Sequence, residues 1–184
     1  MLFRSNAAIS TLREAGAELV QVDLRPLDLR RTRRAVFALC EHEMWRAHRE
    51  AMAARPEGYS GRIRALLEYG ASLDDAKLRA LDERVTGFQF AWEARVAGLD
   101  ACLSPTTPGV AFPHEGTPPD SLADLTVIGT AAAVPAVSVP CGAHGALPVG
   151  VQVLAPRGAD DLALDIAAVI EAARIGAGAA PYRR

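Results

Sequence analysis

The sequence predicts an α/β fold, a mixed β-sheet flanked by helices on both sides, and three observations carry that expectation. Apolar residues recur at helical spacing through the first hundred positions. Short apolar runs broken by Pro and Gly replace them after Asp100, and an amphipathic stretch returns at Asp160. The 184 residues, half of them hydrophobic, suffice to bury one core, and no internal repeat interrupts them.

The elements follow in order. Ser5 to Ala15 reads as a short helix, capped by Ser5 or Asn6, with Ile9 and Leu12 on one face and Gly16 as its stop. Glu18 to Leu24 alternates as a strand, with Val20, Val22 and Leu24 on one side, until Arg25-Pro26 breaks it. From Leu27 to Ala54 the spacing predicts a long helix with two adjacent stripes. One is Val36, Leu39, Cys40, Met44, Ala47 and Ala51; the other is Phe37, Glu41, Trp45, His48 and Met52, so the helix should touch two neighbours.

A short helix is expected over Gly61–Tyr69 and a longer one over Leu73–Leu99. The latter carries Leu78, Leu81, Val85, Phe88, Trp92, Val96 and Leu99 on one face, with Asp74-Asp75 in its first turn. Strands are expected at 101–104, 136–140 and 149–154. Residues 105–121 hold five prolines and form a long loop, and Asp120 to Ala133 returns as helix. Asp160 and Asp161 open a last helix facing the sheet with Leu162, Ile166, Val169, Ile170 and Ala173. Residues 1–173 then make one domain, and 174–184 a flexible Gly/Ala tail.

Charge and composition narrow the function. Twenty basic against twenty-two acidic side chains leave a net charge of −2, with no cationic excess for nucleic acid. A mean hydropathy of +0.10 and the lack of a long apolar run argue against a membrane span. No apolar signal segment opens the chain, and Cys40, Cys102 and Cys141 are too few and too scattered for a disulfide frame, so a cytoplasmic protein with reduced thiols is expected. Thirty-six Ala and nineteen Arg stand beside a single lysine, Lys77.

Several residues invite chemical readings. Thr106 and Thr107 lie at a strand end, where open sheets place ligands, although Pro-Thr-Thr-Pro also makes a rigid turn whose hydroxyls cap backbone groups. Gln152 sits in an apolar strand and needs partners, a structural hydrogen bond being favoured over ligand contact. Ser138 lies on a strand that reads as buried, with no base nearby in sequence. Cys141 and His144 read as part of a turn between strands rather than a thiol–imidazole pair. His42 and His48 are six residues apart and point to different helix faces, so no metal is expected. Arg25, Arg30, Arg31, Arg33 and Arg34 form the one basic run, read as a solvated face or partner surface.

Three runs then occur in order: Leu103-Ser104-Pro105-Thr106-Thr107-Pro108; Ile128-Gly129-Thr130 leading to Val134-Pro135-Ala136-Val137-Ser138-Val139-Pro140-Cys141-Gly142; and Leu147-Pro148-Val149-Gly150-Val151-Gln152-Val153-Leu154. In order and spacing they resemble the amidase signature family. Ala15-Gly16-Ala17 and Tyr69-Gly70-Ala71 extend the likeness over about residues 5–173.

The resemblance is to the C-terminal portion of such an enzyme. It implies hydrolysis or transfer at an amide carbon–nitrogen bond, with no cofactor. Thr106, Thr107, Gly129, Thr130 and Gln152 would line the substrate pocket. The family's catalytic Ser, cis-bonded Ser and Lys sit on other stretches. The seven serines here include no Ser-Ser pair, and Lys77 lies in a predicted helix, so no catalytic residue is assigned. An amide yields only to an activated nucleophile with an oxyanion site, so the chain alone is expected to be inactive. Alternatives are one chain of a split amidase, completed by a partner chain and taking a small-molecule amide, or a non-catalytic binding module. An exposed strand edge would favour self-association.

Overall fold

The computed structural model describes residues 2–176. Helix α1 (Leu2–Glu14) leads through residues 15–24 to a 3-10 turn at Arg25–Leu27 and the long helix α2 (Leu29–Ala54). Helices α3 (Gly61–Ala71) and α4 (Asp75–Val96) follow. Strand β1 (Cys102–Pro105), helix α5 (Val127–Ala132), strands β2 (Ala136–His144) and β3 (Leu147–Leu154) and helix α6 (Asp160–Gly176) complete the order.

The helices start where side chains can accept from free backbone N–H groups. Asp28, in a left-handed conformation, accepts from the Arg31 N–H; Ser60 accepts from Ile63 and Asp74 from Lys77. The first helix begins three residues before Ser5, so Ser5 and Asn6 lie inside it rather than capping it, a small propensity cost within a packed helix.

The sheet has the order β1-β3-β2, and both pairings are antiparallel. Helices cover both faces, as expected, but the expected mixed sheet is antiparallel throughout its described strands. One reason is the segment 18–24, which forms no ladder with them. The hairpin strands are longer than expected because Gly145, at φ +58°, allows a two-residue turn between His144 and Leu147. A bulge between Pro140 and Gly142 shifts the register along β2.

Strand alternation sorts the core into two halves. Val139, Val151 and Val153 pack with Ala8 and Leu12 of α1 and with Ala167 and Ile170 of α6. On the other face Cys102 and Leu154 pack with Val36 of α2, Phe88 and Trp92 of α4, and Val127, Ile128, Ala131 and Ala132 of α5. Helix α4 uses the expected face. The buried face of α6 is instead Ala163, Ala167 and Ile170, with Ile166 packed beside them, and it leaves Val169 40% exposed and Ala173 exposed. The two alanines let the helix axis approach the sheet, which rotates the larger Val169 outward. That helix runs to Gly176, into the expected tail; the rest of the tail, 177–184, lies outside the described residues.

The helix expected over 120–133 shrinks to Val127–Ala132. Leu122 and Asp124 donate to carbonyls three residues back, a turn geometry, and Ala133 at φ +52° ends the helical piece. Packing of α2 on α3 needs Gly70. A Cβ there would lie 2.2 Å from the Glu41 carbonyl oxygen, and His42 Nδ1 stands 2.9 Å from the Gly70 oxygen.

Both the helix contact and the turn before α2 can be probed in solution. Gly70→Ala must push α3 off α2, and urea denaturation should show a loss of about 1–3 kcal/mol. Arg25 grips the Asp23 carboxylate through side-chain and backbone N–H groups, which lowers its pKa from 3.8 to about 2. The clasp is therefore fully present above the ordinary value and released as pH falls through about 2. Carbon-13 NMR titration should place the Asp23 midpoint there, and Arg25→Ala should return it toward 3.8.

Candidate functional site

On the face of the sheet that meets α5, the even-numbered positions of β3 change character along the strand. Leu154, opposite Cys102 and Ala136, is apolar; Gln152, opposite Ser104 and Ser138, is polar; Gly150, opposite Pro140, has no side chain. Three neighbouring strands thus bring Ser104, Gln152 and Ser138 into one row across the sheet.

Gln152 is 3% exposed. Its Nε2 donates to Ser104 Oγ and to the Leu125 carbonyl, each at 2.9 Å. Ser104 in turn donates to the Pro105 carbonyl at 3.2 Å. Beside this buried pair, Thr106 Oγ1 and Ser138 Oγ stand 2.6 Å apart, and the Thr106 N–H donates to the Gly150 carbonyl at 3.0 Å. The approach is close at Gly150: a Cβ there would lie 3.0 Å from Thr106 Oγ1 and 3.3 Å from Ser138 Oγ, so a side chain would press on the hydroxyl pair.

The segment above the row is tied to α2. Arg33 Nε and Asp124 Oδ1 are 2.5 Å apart and mostly shielded, and Arg30 approaches Asp120 at 3.7 Å on the surface. Asp124 immediately precedes Leu125, whose carbonyl Gln152 engages. The basic run thus serves partly as a clamp on the loop before α5.

The five residues that the sequence points to separate into groups. Thr106 and Gln152 join the row. Thr107 donates instead to the Gly109 carbonyl at 2.7 Å, a local turn contact. Gly129 is buried at the apolar end, where a Cβ would meet Ala136 Cβ at 2.9 Å, so it lets α5 lie against the sheet. Thr130 is exposed near the end of α5. Ser138 is exposed rather than buried, because no described helix covers that edge-strand position. Sequence spacing does not mark out Ser104 or the Leu125 carbonyl as members of the row. Only the cross-strand register reveals them, although Ser104 lies within the first motif.

Other candidates resolve locally. His48 meets the Tyr59 hydroxyl at 3.2 Å, and His42 meets Gly70. Among the described residues no cluster of three or more His, Cys, Asp or Glu could hold a metal. Burial pushes the Cys102 and Cys141 thiols up, away from the reactive thiolate. A cleft of about 310 Å³ between the end of α4 and the exit of β3, walled by Trp92, Val96, Cys102, Val134 and Leu154, lies at the apolar end.

Chemically the row is neutral. Its open groups are the Thr106 and Ser138 hydroxyls, suited to hydrogen-bonding a polar uncharged group, while Gln152 and Ser104 are buried beneath them; among the described residues no imidazole, amine or carboxylate bonds to Ser138 or Thr106.

The amidase family model matches residues 2–164. The chain belongs to the amidase family. It is 48% identical over 80 residues to a glutamyl-tRNA(Gln) amidotransferase subunit of Salinispora arenicola, spanning 41% of this chain and 16% of that protein. The corresponding subunit of Streptomyces avermitilis is 28% identical over 94% of this chain and 41% of its own length. A crystal structure of an amidase superposes with a TM-score of 0.80 at 25% identity, over 91% of this chain and 41% of that one. The chain thus spans between a sixth and two-fifths of the length of these relatives. These amidase neighbours share its α/β architecture, and no described helix is long and apolar enough to cross a membrane.

Replacing Gln152 tests the row directly. Gln152→Leu leaves the buried Ser104 hydroxyl and Leu125 carbonyl without their donor, and chemical denaturation should show a loss of about 1–3 kcal/mol.

Proposed function

We propose that this amidase-family chain is the C-terminal, pocket-forming portion of an amide carbon–nitrogen hydrolase, and that it does not cleave amides by itself. The observation that carries this is the neutral row of Thr106, Ser138, Ser104 and Gln152 at the strand ends. It can hold an amide by hydrogen bonds but has no described group to take a proton from a nucleophile. Lys77 lies on the exposed first turns of α4, and no described hydrogen bond joins its side chain to the row. In this reading Thr106, Thr107, Gly129, Thr130 and Gln152 shape the acyl or leaving-group side of the pocket.

The nucleophile and its base then come from other residues of an amidase fold, on this polypeptide or on a partner chain. Relatives named as subunits of an amidotransferase support a partner chain. A non-catalytic module that binds amides on the same row is the second reading, and it is supported by the same lack of a base.

The purified chain should release no ammonia from acetamide, benzamide or aryl amides. Release that a serine-directed phosphonate abolishes would overturn the proposal. Binding of these amides in calorimetry with no turnover even when a complementing amidase portion is present would favour the module.

A further inference from the structure

Residues 18–23 alternate as a strand does, and no described strand pairs with them. Helix α1 ends at Gly16, at φ +94°, with the Ala17 N–H on the Leu12 carbonyl. From there the chain runs to Leu24 without a turn, a bend or a positive φ. Among the described residues, the backbone N–H and C=O groups of 18–23 form no backbone hydrogen bond. At the far end the Asp23–Arg25 clasp and the 3-10 turn fix the exit, and Leu24 packs on the core.

The side chains point the same way. Val20 is 58% exposed and Leu19 38%, on opposite sides of the segment, while Val22 and Leu24 are half-buried. Val20, Val22 and Leu24 give the segment one apolar face, while Leu19 shares the other with the exposed Gln21 and Asp23, the pattern of a strand covered on one face and paired along its edge. A helix or a loop laid on it would cover the side chains but leave the row of backbone groups unpaired. Only an extended chain answers both needs.

We propose that residues 18–23 are a docking strand for a β-strand supplied by the remainder of an amidase fold; this rests on the reading above that the chain is one portion of such a fold. The superposed amidase leaves more than half of its own chain outside the match, which is the source of such a strand. A second copy of this chain fits poorly. Full antiparallel self-pairing of 18–23 sets Glu18 opposite Asp23, and like charges directly opposite destabilise a pair. The incoming strand is therefore apolar, with a neutral or basic residue facing Glu18.

Hydrogen–deuterium exchange tests this. The probe is the portion of the Streptomyces avermitilis amidotransferase subunit that lies outside its alignment with this chain, co-expressed with it as a separate polypeptide. In the chain alone, amides 19–23 should exchange without protection at every concentration. In the assembly they should slow by about 100-fold or more, the signature of a hydrogen-bonded strand. Val20→Lys, at an exposed position, should leave the circular dichroism of the chain unchanged and weaken assembly at least about tenfold, since a charge on a face to be covered is costly.

Assembly with 19–23 still unprotected overturns this proposal and leaves the proposed function standing. Failure to assemble overturns that reading and the docking strand with it. Protection that grows with concentration in the chain alone gives the segment to a second copy and overturns the proposed partner.

Discussion

Much of this structure depends on one buried amide. Gln152 lies on the central strand of the sheet, where an unpaired polar group costs more than most single contacts return. Its two N–H bonds reach in different directions, one across the sheet to Ser104 and one upward to the Leu125 carbonyl. A one-residue slip of β1 against β3 would place Leu103 or Pro105 opposite Gln152 and turn Ser104 toward α1 and α6. The amide therefore selects the register that also seats Val151 and Val153 in their apolar layer.

The upward bond extends the constraint to the helices. Leu125 can accept only while the turns over 120–126 hold their place, and Asp124 is gripped there by Arg33 of α2. Helix α2 in turn stacks on α3 through the bare backbone of Gly70 and on α4 and α5 through the cluster of Val36, Phe88, Trp92 and Ile128. A continuous path thus leads from the middle of β3 to the helical layer. Glycine marks its close approaches: Gly129 under α5, Gly150 beside Thr106, Gly70 between helices.

Local pattern made much of this legible. The α4 face, the end of α2 at Ala54, the three strands and the need of Gln152 for partners all follow from neighbours in sequence. What depended on pairing did not. The alternation of Glu18–Leu24 is that of a strand, yet a strand is a ladder, and no described strand pairs with it. The apolar spacing over 120–133 suits a helix, but ion pairs to α2 and successive turns hold most of it in another shape. Ser138 read as buried because its neighbours are apolar, whereas an edge position that no described helix covers leaves it open. The row itself became visible only once Ser104, Gln152 and Ser138 were seen to be partners across three strands separated by up to 48 positions.

The chemistry of the row agrees with this division. A serine or threonine hydroxyl attacks an acyl carbon only when a base stands within hydrogen-bond reach. The described partner of Ser138 is another hydroxyl, and burial pushes the Cys102 and Cys141 thiols up, away from the thiolate. A neutral row cannot generate the nucleophile, but it has a different merit in an amide pocket. It presents donors and acceptors that are already oriented by the sheet, so an amide can be held without burying an unpaired charge. Neutral and held in place by the sheet, the row fits the proposed role of a fixed wall against which groups from elsewhere in an amidase fold act.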